Sequence, residues 1–409
     1  LPNWSGPPLS ESPVPLVRPQ LALFALGFRP FFLAAGVLAA TAVPLWLAVL
    51  GGLVPAMPAL GGAAWHAETM LFGYGSAVVA GFLLTAVRNW TGMATASGVE
   101  LAALLALWLA GRIAPWLPLP GSLAGALAGA LPAVLDVAFP LALALSLRAP
   151  LWSGPNRANR VFLALLGGMA AASLLFRLGA LGALPGGALA GERLMLGLLV
   201  ATLLVVAGRI MPFFTRSAIA GAAPRVRPWV ERLTVGLAAA WIAVDLATGA
   251  GPLAGALALA LALVQAIRLW GWHHRGAWAI PILAVLYLGY SWLILGLGLA
   301  GLAGLGVLAP FPSLHALTVG ALGVFTLGMM SRVTLGHTGR PMGAAPLMRA
   351  AFVAINLAAL TRVFGPLLWP SAYWTWLICS GLLWTLAFVA FLWVHGPMLV
   401  APRADGHPG

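Results

Sequence analysis

Apolar residues come in runs of about twenty, separated by short stretches rich in Gly, Pro and Arg. A helix needs about 20 such residues to cross the hydrocarbon of a bilayer. The runs predict twelve membrane-spanning helices, near 29–50, 66–88, 98–117, 124–147, 158–181, 193–213, 229–249, 252–271, 277–301, 311–332, 346–368 and 372–396. The pattern is tightest around Gly249 to Gly251, where one turn joins two spans, and most interrupted in the fourth run, which contains Pro132 and Pro140. The expected fold is all-α, a polytopic bundle of about twelve transmembrane helices over residues 21–398. Residues 1–20 form a cytoplasmic N-terminal segment and 399–409 a cytoplasmic tail. The Pro-rich stretch to Gln20 holds no apolar run, so no cleavable signal peptide is expected, and the first span anchors the chain.

Composition agrees and removes the alternatives. With 62% hydrophobic and 7% charged residues, the 409-residue chain could not stay in water without exposing a very large apolar area. The net charge of +13 would point to nucleic acid in a soluble chain. Here the 21 basic residues are all Arg and fall largely in loops, so the expected partner is the lipid bilayer and not nucleic acid. With the N-terminus inside, Arg112, Arg177, Arg193 and Arg362 fall to the outer half and the other seventeen to one side, which the positive-inside rule makes the cytoplasm. The lone Cys379 excludes an internal disulfide and a thiolate cluster.

This topology places the histidines. His66 and His315 open the second and tenth spans, both on the extracytoplasmic side. At 1.5 Å per residue, His337 would lie roughly 33 Å from His315 along a straight helix, in a cytoplasmic loop, so those two do not share a metal. An imidazole among apolar helices serves metal ligation, proton transfer or a hydrogen bond. Gly73, seven residues after His66, would share its face on an α-helix and leave room for a flat macrocycle or for close helix packing. Met70, four residues on, is either a soft copper donor or core filler. Arg362, late in the eleventh span, reaches the same half as both histidines and could pair with a haem propionate. Asp136 lies inside the fourth span, where a carboxylate must be neutral, paired or functional. A second cluster, around Arg88, Arg209, Arg216, Arg332 and the His337 loop, sits at the cytoplasmic ends, where anchoring to anionic headgroups is the simpler explanation for any single Arg.

Several strings in order carry a family resemblance: Gly27-Phe28-Arg29-Pro30-Phe31-Phe32, Trp65-His66-Ala67, Gly81-Phe82-Leu83-Leu84-Thr85-Ala86, Asn89-Trp90-Thr91-Gly92, Gly208-Arg209-Ile210, Ser331-Arg332-Val333 and Leu335-Gly336-His337-Thr338-Gly339-Arg340. In these the chain resembles the NnrS family of bacterial membrane proteins. The resemblance implies a haem- and copper-associated protein of the bacterial inner membrane, linked to nitric oxide metabolism and denitrification. One departure stands out: Glu68 occupies the place of the second His in the family's Trp-His-Ala-His-Glu-Met. A more distant, architectural resemblance is to the haem-copper oxidases, whose twelve helices hold a low-spin haem by His from helices 2 and 10. This chain lacks the copper-binding His of their sixth and seventh helices. The similar endings of the second, sixth and tenth spans also hint at a repeat every four helices.

The resulting expectation is haem b held by His66 and His315, with Gly73 beside it and Arg362 near its propionates. Copper is a further cofactor candidate, drawing on His66, His315, Glu68, Met70 or His337. The function expected is redox chemistry or detoxification of nitric oxide, with nitric oxide as ligand or substrate and an oxidoreductase activity such as nitric oxide reduction. The rival is a transporter or sensor without haem, in which Asp136, His66 and the cytoplasmic Arg cluster form a proton or anion path.

Overall fold

The computed structural model of the chain describes residues 22–55, 60–116, 123–154 and 156–407. The expected N-terminal segment, 1–20, lies outside the described residues. Twelve long helices account for the apolar runs: α1 Phe28–Leu50, α2 Gly62–Thr91, α3 Gly98–Ile113, α4 Leu123–Ser153, α5 Val161–Ala180, α6 Gly187–Ala218, α7 Pro228–Thr248, α8 Pro252–Trp272, α9 Pro281–Gly304, α10 Phe311–His337, α11 Pro346–Leu368 and α12 Tyr373–Val400. No strand occurs among the described residues. Pro132 and Pro140 lie within the continuous helix α4.

Eleven of the twelve are long and apolar enough to cross a membrane, which makes the protein a multi-pass membrane protein. The exception is α7, which carries Glu231, Arg232 and Asp245. It packs between α6 and α8, and Arg268 of α8 pairs with Glu231. The bundle closes with its two ends together: Ala22 N donates to Val400 O at 2.9 Å, and Trp384 Nε1 of α12 donates to Ala39 O of α1 at 3.0 Å. The start of α1 and the end of α12 therefore lie at one end of the bundle, as twelve alternating helices require.

Burial separates an inner from an outer set of helices. In the most apolar window, 78% of α2, 67% of α6 and 67% of α10 is buried, against 28% of α3 and 33% of α1 and α4. Three of the innermost helices are thus four apart in sequence, the spacing that the similar endings of the second, sixth and tenth spans suggest. Close approach elsewhere depends on small residues. A Cβ on Gly304 would stand 2.7 Å from the Cα of Gly255, so α8 and α9 touch backbone to backbone, and a Cβ on Gly191 would stand 2.5 Å from Phe176 N, joining α5 to α6.

Candidate functional site

Helices α2 and α10 each change winding at the same point. After His66, α2 runs as a π-helix from Glu68 to Gly75, and after His315, α10 does so from Ala316 to Val324. The i→i+5 bonding of a π-helix is rare and puts more residues in each turn than the 3.6 of an α-helix. Both π segments pack on α6. Between the three helices lies a cavity of about 430 Å3, within the range of small-molecule and cofactor sites.

His66 and His315 both line this cavity. The ring of His66 stacks on Trp46 of α1, with centroids 5.0 Å apart and planes 6° from parallel, and its buried Nδ1 has no partner. His315 shares a hydrogen bond between Nδ1 and Phe311 O at 3.1 Å. A neutral imidazole whose Nδ1–H is held by a carbonyl presents the lone pair of Nε2, the usual preparation of a ligating histidine. Phe311 also lies over His315, with ring centroids 4.4 Å apart, and Arg362 stands 4.5 Å above the Phe311 ring. Arg362 is thus one aromatic layer behind His315, and its buried Nη1 has no partner.

The remaining predicted site residues divide. Met70 lines the cavity with the histidines. Gly73 does not; a Cβ there would meet Leu38 at 2.9 Å and the Arg112 side chain at 3.3 Å. The cause is the π segment: seven residues complete two turns of an α-helix but fall short of two turns here. Gly75 lines the cavity instead, close against Leu199 of α6. Glu68 also faces away from the cavity, into a buried ion network. Its carboxylate pairs with Arg112 and with Arg177 at 3.1 Å, and both guanidinium groups pair with Asp136, which accepts from Arg177 Nε at 2.6 Å. The network joins α2, α3, α4 and α5. Two glycines make room for it, since a Cβ on Gly111 would stand 2.9 Å from Asp136 Oδ1 and one on Gly73 would meet Arg112. His337 lies at the opposite end of α10, its ring 5.6 Å from that of Phe28. Among the described residues no three or more of His, Cys, Asp and Glu gather as a metal-ligand cluster.

Other cavity residues escaped the sequence reading. Tyr74 of the α2 π segment and Thr326 of α10 share a 2.5 Å hydrogen bond between hydroxyls at the cavity wall. Glu192 and Arg193 in the first turns of α6 and Asp245 in the last turn of α7 also line it. The signal was present: the chain has eight acidic residues, and Glu192 and Asp245 fall inside or beside apolar runs, where ionisable groups are costly and functional by default. The walls between these groups are aliphatic and aromatic, so the cavity combines an apolar body with a few polar atoms, the usual make-up of a site for a largely apolar ligand.

Comparison with curated proteins finds no match. The family model described as NnrS protein matches residues 22–403, nearly the whole chain.

Proposed function

The chain belongs to the NnrS family, and from that premise we propose that it is a haem-binding membrane protein of the nitric oxide response, acting in redox chemistry or detoxification of nitric oxide. The observation that carries this reading is the pair of histidines from α2 and α10 in one mainly apolar cavity. The residues fit the group. His66 and His315 would supply the iron ligands, each oriented by a partner outside the cavity, Trp46 for one and Phe311 for the other. Arg193 at the cavity wall is a cation that could meet a propionate, and Arg362, whose buried Nη1 has no partner among the described residues, stands one aromatic layer behind His315. When bound, haem would supply a one-electron redox centre and a place for nitric oxide to bind.

The chain's own groups then do the rest. The largely aliphatic and aromatic walls suit a small apolar ligand such as nitric oxide. Tyr74 holds a proton at Oη within the cavity, kept in place by Thr326. Glu192 and Asp245 can carry protons between the cavity and the end of the bundle where their helices start and stop. Copper is less well served: Met70 offers a thioether beside the two histidines, while Glu68 is committed to two arginines and His337 lies at the other end. The Arg asymmetry supports a bacterial inner-membrane orientation with both termini cytoplasmic and the cavity toward the other face.

An optical spectrum of protein purified after expression with ample haem tests the reading. A Soret band that is lost or altered in both His66→Ala and His315→Ala is expected, and a shift on adding nitric oxide would mark an open coordination position. Absence of the band would sink the cofactor assignment and return the field to a haem-free transporter or sensor. That rival has lost one member of its path already, because Asp136 is held by Arg112 and Arg177 outside the cavity.

A further inference from the structure

At the end of the bundle opposite the histidine cavity, two of the sequence strings converge: Gly27 to Phe32 at the start of α1, and Leu335 to Arg340 at the end of α10. Arg29 is fully buried there. Its Nη1 donates to Met398 O at 3.3 Å, Leu399 O at 3.1 Å and Ala401 O at 2.6 Å, which secures the end of α12. Its Nε and Nη2 are buried and have no partner among the described residues. One helical turn before Leu399 on the same face of α12 stands His395, 2% exposed, with both ring nitrogens buried and without a partner among the described residues.

Further cations surround these two. Arg340 Nη1 donates to Thr338 O at 3.3 Å, and the ring of His337 lies 5.6 Å from that of Phe28, the neighbour of Arg29. The segment after α12 folds across the group: Ala404 N donates to Thr338 O at 2.9 Å, and Arg403 Nη1 to His337 O at 3.3 Å. Asp405 is the acid recorded in this cluster, and it is held by Arg403 through bonds of 2.9 and 2.5 Å while lying over Gly339.

Anchoring to headgroups from the surface explains an arginine whose head stays in water. It does not explain Arg29, whose guanidinium is removed from water with three N–H groups unused, an arrangement that costs free energy until an acceptor arrives. A planar guanidinium edge formed by Nε and Nη2 matches two oxygens of a phosphate or similar oxyanion. An imidazole N–H adds a third donor, and the excess of positive charge selects an anion over a neutral acceptor.

We propose that Arg29, His395 and Arg340 form a binding site for a phosphate-type oxyanion, with the segment 401–405 as its cover. The chemistry is shared by inorganic phosphate and by the headgroup of an anionic phospholipid, and the experiment separates the two. The inference does not depend on the haem reading.

Full-length protein is reconstituted in phosphatidylcholine nanodiscs, and its thermal midpoint is followed while sodium phosphate replaces sodium chloride at constant ionic strength. In parallel, protein in nanodiscs containing phosphatidylglycerol is released into native mass spectrometry to count retained lipid. A saturable rise of the midpoint with phosphate identifies the free anion as ligand. No rise, with one phosphatidylglycerol retained, identifies the headgroup. Either response should weaken about tenfold or more, roughly 1.4 kcal/mol, in His395→Phe and in Arg340→Ala. These variants are chosen because Arg29 also secures α12, so that Arg29→Gln risks unfolding. Absence of both responses in the native chain, or responses unchanged in both variants, overturns the proposal.

Discussion

Removing two members of opposite sign from the buried four-charge network should cost well below the sum of the two single removals. In Arg177→Met the side chain lost is 5% exposed, and its partners Glu68 and Asp136 are 4% and 3% exposed. The remaining set of Arg112, Glu68 and Asp136 then carries one uncompensated negative charge away from water. Breaking a buried ion pair in this way costs about 3–5 kcal/mol. Glu68→Leu leaves one uncompensated positive charge and should cost a similar amount. The double variant leaves only the Arg112 and Asp136 pair, which are in direct contact and neutral together. Its loss should be well below the sum of the singles, with a coupling of roughly 2 kcal/mol or more, toward the upper part of the range seen for directly interacting neighbours. At about 2.1 cal/mol/K per residue, the unfolding entropy of this chain is on the order of 0.9 kcal/mol/K, so each single should lower the midpoint by roughly 3–6 °C. The shift is larger if helices persist in detergent and the entropy is smaller. Thermal unfolding followed by size-exclusion chromatography reads all four proteins of the cycle. Additive losses, or a single variant within about 1 °C of the native midpoint, would refute the view that charge balance holds α2 to α5 together.

Four other outcomes follow. Gly304→Leu should lower the thermal midpoint by an amount corresponding to at least 1–3 kcal/mol, the usual cost of overpacking, because its Cβ would collide with the Gly255 backbone, whereas Gly298→Ala, with nothing within 4 Å, should be neutral. Tyr74→Phe should cost only about 0.6–1 kcal/mol by the same measurement, since Thr326 keeps its 2.6 Å bond to Leu322 O; a larger loss would mean that the hydroxyl pair does more than hold two helices. Gly73→Val should disturb the ion network and lower stability by displacing Arg112 while leaving the Soret band in place, and loss of the band with an unchanged midpoint would return Gly73 to the cofactor site. The Arg403 guanidinium and the His407 backbone hold the Asp405 carboxyl well below the usual carboxylate range. Its contribution to docking the tail is therefore complete above the unfolded value of about 3.9 and fades as pH falls toward the folded one, so limited proteolysis of the tail should be independent of pH from 5 to 8 and accelerate only in stronger acid.

What could be read from the sequence followed the range of the physics behind each reading. Helix positions depend on local hydropathy, and the twelve runs became twelve helices with boundaries moved by a few residues. The common depth of His66 and His315 follows from counting alternating spans, and the two do line one cavity. The partner of Asp136 was beyond such counting. Arg112 and Arg177 are expected in the half that holds His66, and both meet Glu68 there, but which carboxylates they meet depends on the packing of four helices, with partners up to 109 residues apart. The same holds for Tyr74 and Thr326, which are 252 residues apart.

Gly73 shows a different kind of failure, because the rule applied to it was local and the structure changed the rule. Glu68 to Gly75 reads as ordinary helix by composition, and nothing in its residues announces i→i+5 bonding. The change of winding has consequences on both faces of α2. On one it turns Glu68 and Gly73 toward Arg112, so that a carboxylate is available to the ion network and a glycine to the passage of the arginine side chain. On the other it brings Tyr74 and Gly75 onto the cavity wall with His66 and Met70. With ordinary α-helical winding Gly73, and not Gly75, would follow His66 on its face. A second π segment follows His315 directly, from Ala316 to Val324, and there Leu322, seven residues on, stays on the cavity wall with its histidine. A rare winding directly beside each of the two candidate ligands, at the wall of one cavity, argues that it belongs to the site itself.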